Sequence, residues 1–129
     1  MDMELVGEFK GKNTVYRVLP DSKMEVTGAG IGKFLGVDAF VASTSIGTMT
    51  NGVFNGEVYA SITTMDGQTV FCKANGVGYP SGNGGLSRAA SVQMTQSEKF
   101  IWLNKAILLH EFITDMTDNW VGKIWAWKQ

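Results

Sequence analysis

The chain predicts an all-β fold, a closed antiparallel barrel of eight or nine strands, and three observations lead there. Glycine supplies 16 of the 129 residues against only two prolines, and the glycines are spread through the chain instead of forming a linker. They punctuate alternating β-branched and aromatic runs, the pattern of short strands joined by tight turns. Two dipeptides, Asn51-Gly52 and Asp66-Gly67, stand between such runs and carry the positive φ that a two-residue hairpin turn requires. So many strands in so short a chain leave little room for helices to cover a sheet, and closing the sheet on itself removes its exposed edges.

In chain order, strands are expected over residues 4–10, 14–19, 23–31, 38–50, 53–65, 68–77, 86–94, 105–114 and 120–128. A single domain over 1–129 follows from the length, and 44% apolar residues suffice for one ordinary core. A two-residue loop at Asn51-Gly52 pairs Met49 with Phe54 and Thr44 with Tyr59. A matching loop at Asp66-Gly67 pairs Ile62 with Phe71 and Ser61 with Cys72. These registers put Val41, Val58, Ala60, Ile62 and Phe71 on one face. Phe40, Ala42, Tyr59, Val70, Cys72 and Ala74 fall on the other. Both faces are part-apolar, which implies a partner outside the barrel or a mixed-lined cavity within it. Beyond Met94, Thr95-x-x-Glu98 reads as a capping box before a turn or short helix near 96–103, followed by a strand. Trp102 and Leu103 are expected to be buried, with Asn104 bonding backbone groups at the turn into that strand.

The charge balance, 11 basic against 12 acidic residues without a basic run, argues against nucleic acid, which needs clustered cations to displace counterions. The start of the chain lacks a basic segment leading into an apolar one, and no apolar run reaches the roughly 18 residues of a membrane helix. The expectation is a cytoplasmic protein that does not enter a membrane. Cys72, the lone cysteine, and His110, the lone histidine, leave no disulfide framework, zinc set or conventional triad within one chain. No metal and no cofactor is expected. The glycines of Gly28–Lys33 satisfy neither phosphate-binding fingerprint, because Lys33 stands where a dinucleotide site needs glycine and Phe34 where a P-loop needs Ser or Thr. They read as a kinked strand at a barrel corner. The run Gly82-Asn83-Gly84-Gly85 reads as a loop on the barrel's rim.

Four residues are candidates for ligand contact: Tyr59, Arg88, His110 and Glu111. On a strand, His110 shares a face with Leu108 and Phe112, and Glu111 shares the other with Ile107, Leu109 and Ile113. Whichever of the two points inward is surrounded by apolar side chains and is expected to face an enclosed cavity near Tyr59, and burial there favours its neutral form. Arg88 could anchor a carboxylate. Trp125 and Trp127 share one strand face, suited to a ligand platform, a subunit interface or core packing.

The segment Phe100-Ile101-Trp102-Leu103-Asn104 carries a resemblance. With Asp66-Gly67, Gly76 and Arg88, it is similar to an uncharacterised family of small barrel proteins marked by an aromatic-x-Trp-Leu-Asn signature, over residues 44–128. The resemblance implies a calycin-like or allene-oxide-cyclase-like barrel and assigns no catalytic residue. The leading expectation is a barrel that binds a small, largely apolar molecule in its mouth or lumen. The alternatives are an isomerase or cyclase using Glu111, His110 or Tyr59 as an acid or base, and a structural homodimer or higher homo-oligomer with a filled barrel.

Overall fold

The computed structural model describes residues 2–128. Eight antiparallel strands close into one barrel in sequence order, β1-β2-β3-β4-β5-β6-β7-β8. They are β1 (Asp2–Leu19), β2 (Lys23–Phe34), β3 (Val37–Thr50), β4 (Val53–Thr64), β5 (Thr69–Ser81), β6 (Gly84–Met94), β7 (Ile107–Thr114) and β8 (Asn119–Lys128). A 3-10 helix, η1 (Glu98–Lys105), links β6 to β7. Closure comes from β1 against β8, from Asp2 opposite Lys128 to Lys12 opposite Asn119. Every strand therefore has two neighbours, and no edge is left to recruit a foreign strand.

The first two expected strands are one. β1 runs through 11–13 without a turn, bending at a register shift between Asn13 and Val15, where an unpaired residue curves the strand and spares a loop. The Asn51-Gly52 turn forms as expected. Both residues have positive φ, 53° and 77°, and Met49 faces Phe54 and Thr44 faces Tyr59.

The register at Asp66-Gly67 needs correction. Ile62 faces Val70 and Ser61 faces Phe71, one residue away from the two-residue loop. The loop has three residues, Met65-Asp66-Gly67, closed by Thr64 N–H on the Gln68 carbonyl at 2.8 Å and Gly67 N–H on the Thr64 carbonyl at 2.9 Å. Thr64 also uses its hydroxyl, hydrogen-bonded to Asp66 and accepting from Gln68 N–H. A slip of one residue exchanges the faces of the whole following strand. Val70, Cys72 and Ala74 are buried with Ile62, and Phe71 stands outside, 58% exposed. The expected rim loop at 82–85 is likewise shorter, because β5 runs on through Tyr79 and Pro80 and Ser81 pairs with Gly84 across a two-residue turn.

η1 stops one end of the barrel. Its Phe100 and Leu103 are sealed against Phe34, Ile62, Val70 and Leu108, with the Phe34 and Phe100 rings edge to face at 5.8 Å. Burying a side chain such as Leu103 contributes roughly 1.5–3 kcal/mol. Trp102 is part-buried against this cluster, with the Lys128 ammonium 4.8 Å above its ring. Asn104 clips η1 to the end of β6, accepting from Thr95 N–H at 2.9 Å and donating to the Thr95 carbonyl at 3.0 Å. The capping box does not form. Thr95 donates its hydroxyl to the Thr69 carbonyl and accepts from Ser97 N–H, so it ties the helix to β5 and leaves no bond to Glu98.

Candidate functional site

Inward positions follow from strand pairing, because partners across a ladder share a face. Starting from buried His110, the pairs Ala89–His110 and His110–Ile124 point inside. So do the flanking Ser91–Leu108, Ser87–Phe112 and Gly122–Phe112. Two aromatic rings occupy this wall. Phe112 lies nearly parallel to the His110 ring, with 6.3 Å between centres, and meets Trp120 edge to face at 5.2 Å. Glycines make the room they need. A Cβ at Gly122 would stand 2.4 Å from the Phe112 ring, and one at Gly11 2.3 Å from the Trp120 indole.

The opposite wall is small at the level of His110, with Ser43 and Ser45 on β3, Val58 and Ala60 on β4, and Ala74 on β5, and carries the larger Val26, Met24 and Phe54 in the same parity toward the end remote from η1. Near η1 the inward residues are sealed, but Ser43, Ser45, Val58, Ser87 and Ala89 are only half-buried. The interior is thus less tightly closed at the end remote from η1, in a barrel of the size that is either filled by its own side chains or holds one small ligand.

Polar groups in this lumen form one chain of hydrogen bonds. Gln93 donates both amide hydrogens to backbone carbonyls, Leu103 at 3.0 Å and Ala106 at 2.9 Å. The Leu103 carbonyl also accepts from Ala106 N–H at 3.1 Å, so the Gln93 amide adds a second bond there and ties β6 to the end of η1. The amide orientation is thereby set, and Gln93 Oε1 accepts from the Ser91 hydroxyl. Ser91 has one hydrogen and has given it away, so toward His110 Nε2, 2.8 Å from Ser91 Oγ, it can only accept. His110 therefore carries its proton on Nε2. Burial pushes the imidazole pKa down to about 4, which keeps the ring neutral at physiological pH and leaves Nδ1 with a free lone pair. Among the described residues the one sealed side-chain polar atom without a partner is Ser97 Oγ. Nδ1, which has no protein partner, is thus reached from the lumen. Cys72 faces Gln93 across β5 and β6; burial pushes its thiol up to about 12, offset only in part by Ser91.

The four candidate residues divide. His110 points inward and is 8% exposed. The other three stand on the outer wall, so Tyr59 is not near His110 in a shared cavity. Glu111 pairs with Arg88 across β6 and β7, Nε to Oε2 at 3.0 Å, with both side chains part-exposed. Such a pair is worth under about 1 kcal/mol. Tyr59 is 42% exposed and bonds Glu57, which raises its phenol pKa. Ser91 and Gln93 were missed. Their signal was an inverted alternation, polar at 91 and 93 and apolar at 92 and 94, where Val92 and Met94 stand outside at 55% and 70% exposure. Trp125 and Trp127 also face outward, on either side of sealed Ala126. Two depressions lie on the outer wall, one bordered by Ile31, Phe40, Glu111, Ile113 and Val121, the other by Tyr59, Phe71, Val92 and Met94. Among the described residues no cluster of three or more His, Cys, Asp or Glu could hold a metal ion, and no helix is long and apolar enough to cross a membrane.

No protein-family model and no curated protein matches the chain. Solved structures resemble it in fold along its whole length. A conserved protein of unknown function from Rhodopseudomonas palustris superposes with a TM-score of 0.80 at 12% identity, covering 97% of this chain and 95% of the other. A protein of unknown function from Clostridium acetobutylicum ATCC 824 gives 0.80 at 14% identity, covering 99% and 100%. A beta-barrel like protein from Acinetobacter baumannii AYE gives 0.76 at 13%, covering 98% and 96%. These establish a shared barrel architecture.

Proposed function

We propose that this chain is a single-domain, calycin-like barrel of the cytoplasm that binds one small, largely apolar molecule in its open half. The observation that carries the reading is His110 Nδ1, an unpartnered acceptor on an inner wall whose neighbours are mainly apolar, Phe112 and Trp120 among them. An apolar pocket with one placed polar group is how small-molecule sites combine affinity with orientation. Binding is favoured over acid–base catalysis because a base titrating near 4 is weak at neutral pH, whereas an efficient catalytic base titrates close to the working pH. The test is NMR of the labelled protein with a panel of small aromatic and alicyclic compounds. Shifts confined to Phe112, Trp120 and Ala89 are expected, with loss of binding when Ala89→Leu fills the lumen. Ligands whose shifts map to the outer wall in both proteins would refute the reading.

The outer wall supports a homo-oligomer as a second component. Trp127, Ile113 and Val121 are about half exposed on β7 and β8, an apolar surface of the kind that symmetric dimers bury. Sedimentation at high micromolar concentration should show a dimer or larger species, and a monomer there would remove this component.

A further inference from the structure

We infer that the lumen selects a neutral ligand carrying a hydroxyl donor on an aromatic ring, a phenol-like molecule, and rejects carboxylates and donor-free isosteres. The inference rests on the binding reading and goes beyond it to the ligand's chemistry. The hydrogen-bond chain dictates it from the plug inward. The Leu103 and Ala106 carbonyls orient the Gln93 amide, Gln93 takes the Ser91 hydrogen, and Ser91 takes the His110 Nε2 hydrogen. Nδ1 is thereby held as an acceptor, and only a donor can satisfy it.

Charge argues the same way. Around His110, Arg88 on β6, Glu111 on β7, Lys123 on β8, and Lys73 and Tyr79 on β5 project outward with the opposite parity to the lining residues, and Lys128 at the far end of β8 is taken up by Glu4 and the Trp102 ring. Cys72, the other titratable group facing the lumen beside His110, stays a thiol. A carboxylate would enter without a cation and would meet the Nδ1 lone pair, a desolvation and repulsion that nothing on this wall offsets. The near-parallel His110 and Phe112 rings, with Trp120 edge-on, favour a planar aromatic guest over an aliphatic alcohol.

Three probes of similar size separate the possibilities: phenol, anisole and benzoate, titrated at neutral pH while the Phe112 and Trp120 resonances are followed. Phenol should bind about tenfold more tightly than anisole, the scale of one hydrogen bond in a desolvated site, and benzoate should not bind. In His110→Phe, which keeps the ring and removes the acceptor, phenol and anisole should bind alike. Equal binding of phenol and anisole to the wild type, or tighter binding of benzoate, overturns the inference and leaves the binding reading standing. No lumen shifts with any probe overturns both. Should His110→Phe fail to fold, long-range proton–nitrogen NMR of the wild-type protein reads the tautomer directly from its single histidine. A proton on Nε2 supports the inference, and a proton on Nδ1 overturns it without reference to any ligand.

Discussion

Lowering the pH should destabilise this protein through one residue. His110 is neutral when folded because burial depresses its pKa to about 4 from 6.5. Above 6.5 the folded and unfolded chains are both neutral there, and the site adds no pH dependence. Between 6.5 and 4 the unfolded chain takes up a proton that the folded chain refuses, so stability falls as pH falls. At about 1.4 kcal/mol per pH unit, the gap is worth roughly 3 kcal/mol, fully expressed near pH 4. Asp66 and Asp115 add losses of their own only lower. Their carboxyls are held below the ordinary value of 3.8, Asp66 first by Lys99 and Asp115 first by the Thr117 N–H, so their contribution goes as pH falls through those depressed values. The comparison that isolates His110 is urea unfolding of wild type and His110→Phe from pH 7 to pH 4. The wild type should lose roughly 3 kcal/mol more than the variant. The same protein supplies a direct reading, since its one histidine should titrate near 4 when folded and near 6.5 in urea. Parallel stability curves, or a folded-state midpoint at 6 or above, would refute the reasoning.

Other consequences follow from the plug and the lumen. Leu103→Ala, at a fully buried position, should cost about 2–5 kcal/mol by chemical denaturation. Asn104→Ala removes two hydrogen bonds to the Thr95 backbone and should cost about 1–3 kcal/mol, with the lumen resonances near Phe112 unmoved. A larger effect on ligand shifts than on stability would place Asn104 in the site. Cys72, buried with its thiol raised to about 12, should resist alkylation at pH 8 in the native protein and react on unfolding. Rapid modification of the native thiol would mean that the β5 face is wrongly assigned.

The barrel and several turns were legible in the residues because they are local matters. Asn51-Gly52 dictates its hairpin since both residues adopt positive φ at little cost, and of the segment Trp102-Leu103-Asn104 the burial of Leu103 and the backbone bonds of Asn104 were likewise expected. Parity was not local. Asp66-Gly67 suits a two- or a three-residue loop, and the choice turned on Thr64 bonding both Asp66 and Gln68 and on which of Val70 and Phe71 fits a narrow lumen. Only the closed wall could decide that, because the inside of an eight-stranded barrel admits few large side chains. The alternation at His110-Glu111 showed that one of them points inward without saying which. Closure of β7 between β6 and β8 placed the histidine inside and left Glu111 to Arg88. Ser91 and Gln93 carry no inward signal of their own, since polar side chains are ordinarily outside. Their inward direction follows from the pairing of β6 with β5 and β7, and Gln93 finds acceptors there in the Leu103 and Ala106 carbonyls only once η1 has folded into the barrel's end. Composition and turn chemistry thus determined a closed barrel, while the closure of its ladders and the packing of its plug decided which polar groups face inward and what they bond.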